Sequence, residues 1–181
     1  MKKDKFGQAR ILSPEELDQL IAAIPYSHHK VLAILLRYSG CRCTEAAKSK
    51  WKNYSSDFLL LPKPDTKTDT SRSIPINNKL KLELDLWKEH SKPLNDDEYI
   101  FKGRFANSHL RRQSFDKAIR KYSPFKDVST HTFRRSVLTA MKRAGVPLDV
   151  IRSISAHADI KTLELYLGID SVEQFAAVNV L

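Results

Sequence analysis

The sequence predicts a mainly helical domain with one small antiparallel β-sheet, an α+β fold. Three features say so: a capped helix start near the N-terminus, a central stretch of short β-rich segments between polar turns, and a helical pattern filling most of the C-terminal half. At 181 residues the chain is long enough for one domain with a real hydrophobic core.

Ser13 precedes Pro14 and Glu16, a capping box with proline at the first helical position, so a helix is expected over 14–24, stopped by Pro25. Val31, Leu32, Leu35, Leu36 and Tyr38 form the broad apolar face of a second helix, which Gly40 ends. The segments "SKWKNY", "FLLLP" and "SRSIPI" read as a small antiparallel sheet, with Lys67 in or beside a turn. Helix returns through "KLKLELDLWKEH"; a short strand is expected at 99–101 and a basic helix over 108–122. From Thr132 onward the pattern is helical almost throughout. Gly145 and Pro147 divide one helix from the next, and Asp159 caps the segment that carries Tyr166. Ser171 with Gln174 is a second capping box, opening a final helix. The expected organisation is an extension over 1–12, a domain over 13–170 and a helical tail over 171–181.

A hydrophobic fraction of 41% and a charged fraction of 29% belong to a globular protein in water. Thirty-one Lys plus Arg against 21 Asp plus Glu, a formal charge of +10, point to a polyanionic partner, nucleic acid first. No apolar run approaches the roughly 20 residues that span a bilayer, so no membrane partner is expected. The start "MKKDKFGQAR" lacks the apolar stretch of a secretory signal. Cys41 and Cys43 flank Arg42 at a spacing that suits neither a zinc knuckle nor a thioredoxin-type pair, so free thiols in a reducing cytoplasm are expected.

Six residues are candidates for chemistry: Arg42, Lys67, His131, Arg134, His157 and Tyr166. Breaking a phosphodiester without metal needs cations for the non-bridging oxygens, a nucleophile, and an acid for the departing oxygen. Arg42 and Arg134 suit the first task, because a guanidinium pairs bidentately with phosphate and keeps its charge. Glu45, one helical turn after Arg42, either orients that guanidinium or is a surface neighbour. His131 and Arg134 share one face near a helix N-terminus, where partial positive charge favours phosphate. His157 reads as a hydrogen-bonding histidine or a cap. Tyr166, set in "LELYL", reads as a packed amphipathic side chain or as a phenol nucleophile that needs help losing its proton. Lys67 stands out only by its turn position, and Lys63 competes with it.

In order and spacing these segments resemble the tyrosine recombinases, the phage-integrase family, over nearly the whole chain. "SGCRCTEA" is similar to the first box, "TKTDTSRSIPI" to the lysine-bearing hairpin, "HTFRRSVLTAM" to the second box and "ISAHADIKTLELYL" to the third. The resemblance implies Arg42, Lys67, His131, Arg134, His157 and Tyr166 as catalytic residues, with Glu45 in support. It further implies a site-specific recombinase acting through a 3′-phosphotyrosine, without metal or cofactor, on double-stranded DNA. A homo-tetramer on DNA, with a monomer in free solution, and a nucleoid-associated place in a prokaryotic cytoplasm follow from the same resemblance. Lys63, Arg72, Arg111, Arg112 and Arg135 are the candidate phosphate-backbone contacts.

The resemblance has departures. Arg135 stands where the family usually has a second histidine, and "SAH" replaces the common Leu-Gly-His before the nucleophile helix. Relatives carry an N-terminal helical domain that closes on DNA, whereas about a dozen residues precede the capped helix here. The expectation is a catalytic-domain fragment or a minimal member. Two other readings stay open: a type IB topoisomerase-like enzyme, and a non-catalytic DNA-binding regulator that keeps the fold. The apolar tail is expected to dock on a neighbouring protomer or to pack on its own core.

Overall fold

The computed structural model describes residues 9–61, 71–167 and 179. Within them the chain forms eight helices and one two-stranded sheet. Helix α1 (Pro14–Ala23) starts at the predicted capping box: Ser13 Oγ accepts from Glu16 N, and the Glu16 carboxylate accepts from Ser13 N. Helix α2 (His28–Ser39) presents Val31, Leu32, Leu35 and Leu36 to the core and ends on Gly40. Gly40 takes φ +61°, and an added Cβ would meet Val137 Cγ1 at 3.2 Å, so a larger residue is strained and crowded where α2 ends against α6 (Thr130–Arg143).

The short helix α3 (Cys43–Ala47) follows directly, with Arg42 as its N-cap. Strands β1 (Phe58–Leu61) and β2 (Arg72–Pro75) pair antiparallel, Leu59 opposite Ile74 and Leu61 opposite Arg72. Leu59, Leu61 and Ile74 point into the core. Helix α4 (Asn78–Ser91) is capped by the Asn77 side chain and buries Leu80, Leu84 and Trp87. Helix α5 (Arg112–Tyr122) seats Phe115 and Ile119 against the core beside Phe133 of α6.

Three expected elements differ. "SKWKNY" forms a single 3-10 turn, Trp51–Asn53, bounded by isolated bridges at Lys50–Tyr99 and Tyr54–Leu59. The Asn53 side chain accepts from Lys50 N and closes the turn, while Trp51 N and Ile100 N pair with the distant Glu98 O and Ser49 O, so the segment bridges to β1 only at Tyr54. The expected strand at 99–101 contributes that one bridge and no ladder. The basic helix starts at Arg112 rather than 108, because 108–110 are held in extended pairing. Leu110 N donates to Phe101 O and Gly103 N to Ser108 O. A Cβ at Gly103 would lie 2.5 Å from His109 O, so this close approach needs glycine.

Helices α7 (Leu148–Ser155) and α8 (Ile160–Leu167) lie on α6 through a small second core of Leu138, Ile151, Leu163 and Leu167. Asp159 caps α8 as the sequence indicates, its carboxylate accepting from Thr162 N at 2.6 Å. The expected final helix over 171–180 lies outside the described residues. No helix among the described residues is long and apolar enough to cross a membrane.

Ala156 ends α7 in the left-handed region, φ 51° and ψ 47°, where glycine is the low-energy residue. An Ala156→Gly variant is therefore expected to be about 1 kcal/mol more stable, raising the melting midpoint by about 2–4 °C. Differential scanning calorimetry of the two proteins checks this.

Candidate active site

Arg134 anchors the site. It lies in the second turn of α6 with 4% of its surface exposed. Its Nη1 donates to Gly40 O at 2.9 Å, and its Nη2 donates to Ser155 O. Both acceptors sit at helix C-termini, of α2 and of α7, where unpaired carbonyls carry partial negative charge. A buried guanidinium thus rests on the negative ends of two helices.

Arg42 arrives from the other side. As N-cap of α3 it is half-exposed at 38%, and its Nη2 donates to Ala156 O at 3.3 Å, one residue beyond the acceptor of Arg134. Its Nη1 pairs with Glu45 Oε1 at 2.8 Å, so Glu45 is no surface neighbour: it is 2% exposed. The second carboxylate oxygen of Glu45 accepts from Arg72 Nη2, also at 2.8 Å. Burial works to raise the Glu45 pKa, yet the hydrogen bond from Arg42 with the charge and hydrogen bond of Arg72 together hold it below the usual carboxylate value.

Arg42, His131 and Arg134 line one cavity of about 220 Å³, together with Cys43, Thr44, Arg112 and Thr130. The cavity is therefore rimmed by the first turns of three helices. Arg42, Cys43 and Thr44 come from α3, Arg112 from α5, and Thr130 and His131 from α6. Helix N-termini and three guanidinium groups give it a charge that suits an anion, while the Thr130 N–H is already held by Asp116 Oδ1 at 3.2 Å.

His157 closes the edge next to Arg134. Arg134 Nη2 lies 3.4 Å from His157 Nε2, and Ser155 Oγ lies 2.8 Å from Nδ1. A guanidinium only donates, so Nε2 accepts and Nδ1–H is directed to Ser155 Oγ, whose own O–H reaches Arg152 O at 3.3 Å. Burial, then the charges of Arg134, Arg42 and Arg72, push the His157 pKa down from 6.5 to about 4, so the ring is neutral at pH 7.

Position 166 falls in α8, whose Leu163 and Leu167 pack on α6 and α7; the Tyr166 side chain is not among those described. Lys63 and Lys67 lie outside the described residues. Of the other candidate cations, Arg111 and Arg112 are exposed at the start of α5, and Arg112 lines the cavity. Arg135 is not brought to this site. It is 9% exposed and donates to Ala9 O at 2.6 Å, pinning the segment before α1. Arg72 faces inward to Glu45.

The sequence reading passed over Thr44, Thr130 and Ser155. Ser155 is fully buried and holds both Arg134 and His157, and its place two residues before His157 was the available signal. Both cysteines are free and buried; burial lifts Cys41 to about 11 and Cys43 to about 12, so the thiol at the cavity wall stays protonated.

A tyrosine-recombinase catalytic fold carries this arrangement, and the comparisons agree. The chain belongs to the Phage integrase family, whose model matches residues 10–171. It is 24% identical over 159 residues to "Tyrosine recombinase XerA" of Pyrococcus horikoshii, covering 86% of this chain and 55% of that protein. It is 25% identical over 175 residues to "Tyrosine recombinase" of Thermosipho africanus, covering 94% and 61%. The chain thus spans somewhat over half the length of these relatives. Among solved structures, the XerA recombinase crystal structure superposes with a TM-score of 0.78 at 18% identity, covering 95% of this chain and 63% of that one. The XerH site-specific recombinase bound to difH substrate, a pre-cleavage complex, gives 0.72 at 19% identity, covering 94% and 53%.

The His157 value fixes a pH dependence. The unfolded chain binds its proton near pH 6.5 and the folded one only near 4, so His157 contributes its full stability above about pH 6.5 and loses it as pH falls toward 4. His29, also pushed down to about 4 by burial, adds in the same direction. Denaturant titrations from pH 7 to pH 4 are expected to show falling stability, with a shallower slope in His157→Asn.

Proposed function

We propose that this chain is the catalytic part of a site-specific DNA recombinase that cuts and rejoins strands through a 3′-phosphotyrosine. The reading rests above all on the one cavity that Arg42, His131 and Arg134 share, with His157 hydrogen-bonded to Arg134 at its edge. Net charge and the XerH recombinase structure bound to difH substrate support double-stranded DNA as the partner.

In this mechanism the scissile phosphate enters the cavity, and Arg42 and Arg134 bind its non-bridging oxygens. The Tyr166 phenol oxygen attacks phosphorus, its proton passing to His131. The bond from phosphorus to the 5′-oxygen breaks, and that oxygen takes a proton from Lys67. The phosphotyrosine keeps the energy of the broken diester, so attack by a second 5′-hydroxyl restores a strand without ATP. His157 turns Nε2–H to a phosphate oxygen when the anion takes the place of the Arg134 contact. The exposed Arg111 and Arg112 meet backbone phosphates beside the cavity. A homo-tetramer on DNA exchanges the strands, and the protein works in the cytoplasm on chromosomal or mobile DNA.

A nicked duplex, selected by wild-type protein from a random-sequence pool for covalent trapping, tests the reading on a denaturing gel. Tyr166→Phe is expected to abolish the adduct while binding stays within about twofold. Adducts that survive the change exclude Tyr166 as nucleophile; a wild-type chain that shifts DNA but never traps it is a binder only. Relaxation of supercoils by a monomer, with no strand exchange, would indicate a topoisomerase.

Phosphate binding also predicts proton uptake, because an anion beside His157 raises its depressed pKa. Calorimetry at pH 5.5 in buffers of different ionisation enthalpy is expected to show uptake on binding that same duplex, and to lose it in His157→Asn.

A further inference from the structure

Arg72 opens β2 and is placed for a task that neither packing nor direct DNA contact accounts for. Its side chain is 17% exposed and turned inward, and its Nη2 holds Glu45 Oε2 at 2.8 Å. Arg42 Nη1 holds the other oxygen, Glu45 Oε1, at the same distance. The two guanidinium groups therefore share one carboxylate that is almost wholly out of water. Arg72 Nε–H is itself buried with no hydrogen-bond partner among the described residues, so the pair with Glu45 sets where this guanidinium lies.

As a device for stability the trio is inefficient. Taking charges out of water offsets most of their attraction, and apolar side chains of the same volume would hold the fold as well. What the trio secures is geometry. A carboxylate held at one oxygen still turns about its last torsion, which is broad and soft. Held at both, it is fixed, and so is the guanidinium it aims; Arg42 N also donates to Oε2, but at a long 3.3 Å, and Arg72 supplies the shorter, charged anchor of that oxygen. Arg42 is the beneficiary, since it is the more exposed of the two cations and lines the cavity.

We propose that Arg72 is a positioning residue of the phosphate clamp: through Glu45 it fixes the guanidinium of Arg42, leaving the remaining N–H groups of Arg42 turned to the scissile phosphate. The role rests on the recombinase reading above. It also ties the clamp to the hairpin, because Arg72 pairs with Leu61 at the end of the β1–β2 ladder. Arg72 is a candidate phosphate-backbone contact by sequence; in the fold its Nη2 makes an internal ion pair with Glu45.

The full chain and the selected nicked duplex supply the test. Arg72→Ala is expected to bind within about twofold of wild type and to form adducts about 10–100-fold more slowly at saturating DNA. Arg72→Lys, which keeps the charge but loses the planar fork, recovers only part of the rate. Arg72→Met keeps the buried stem and serves if the alanine variant does not fold. Glu45→Gln slows adduct formation comparably, and the double variant with Arg72→Ala is no slower than the worse single one, as two residues acting as a unit require. Weaker binding with a salt slope reduced by about one, at an unchanged saturated rate, would show direct phosphate contact and overturn the proposal. Rate losses that multiply in the double variant would overturn it too. If wild-type protein traps no DNA, the recombinase reading itself fails, a result distinct from either.

Discussion

The fold and the site meet in the burial of one charge. Arg134 lies in the interior of a small domain, where an unsolvated guanidinium is costly unless its N–H groups are satisfied. The chain satisfies them with backbone carbonyls, Gly40 O where α2 ends and Ser155 O where α7 ends. One side chain thereby fixes three helices, and the dipoles of two of them stabilise it. The left-handed turn at Gly40 and the one at Ala156 are the local conditions, since each ends a helix beside an acceptor that an arginine needs.

Charge economy explains the rest of the constellation. The C-terminal turn of α7 holds both arginines, Arg134 at Ser155 O and Arg42 at Ala156 O, so neither needs a carboxylate facing the cavity. The carboxylate paired with Arg42, that of Glu45, lies behind it and is shared with Arg72. Glu45 itself does not line the cavity, whereas Arg42, Arg112 and Arg134 do. His157 is held neutral first by burial and then by the same cations, ready to respond to an anion that outweighs them. Preorganisation of this kind limits the reorganisation left for the moment an anion arrives.

Much of this was legible in sequence where the signal is local. The capping box at Ser13, the helix stop at Gly40 and the Asp159 cap depend on groups within four residues of one another, and each forms as expected. The family boxes are equally legible because they are short and ordered. Signals failed where a distant partner decides. "SKWKNY" has the composition of a strand, but Trp51 N and Ile100 N pair across the fold with Glu98 O and Ser49 O and leave no ladder. Residues 108–110 look helical until Phe101 claims their backbone.

Residue type and order alone, then, determined the mainly helical class and which arginines and histidines come together, because periodicity, caps and box spacing are properties of neighbouring residues. Only the tertiary structure decided what each cation faces. Arg135 and Arg72 read from sequence as candidate phosphate-backbone contacts, yet one donates to Ala9 O and the other to a buried carboxylate. The direction of a long, flexible side chain is set by acceptors far away in the chain, and nothing in its immediate neighbours encodes where those acceptors will lie.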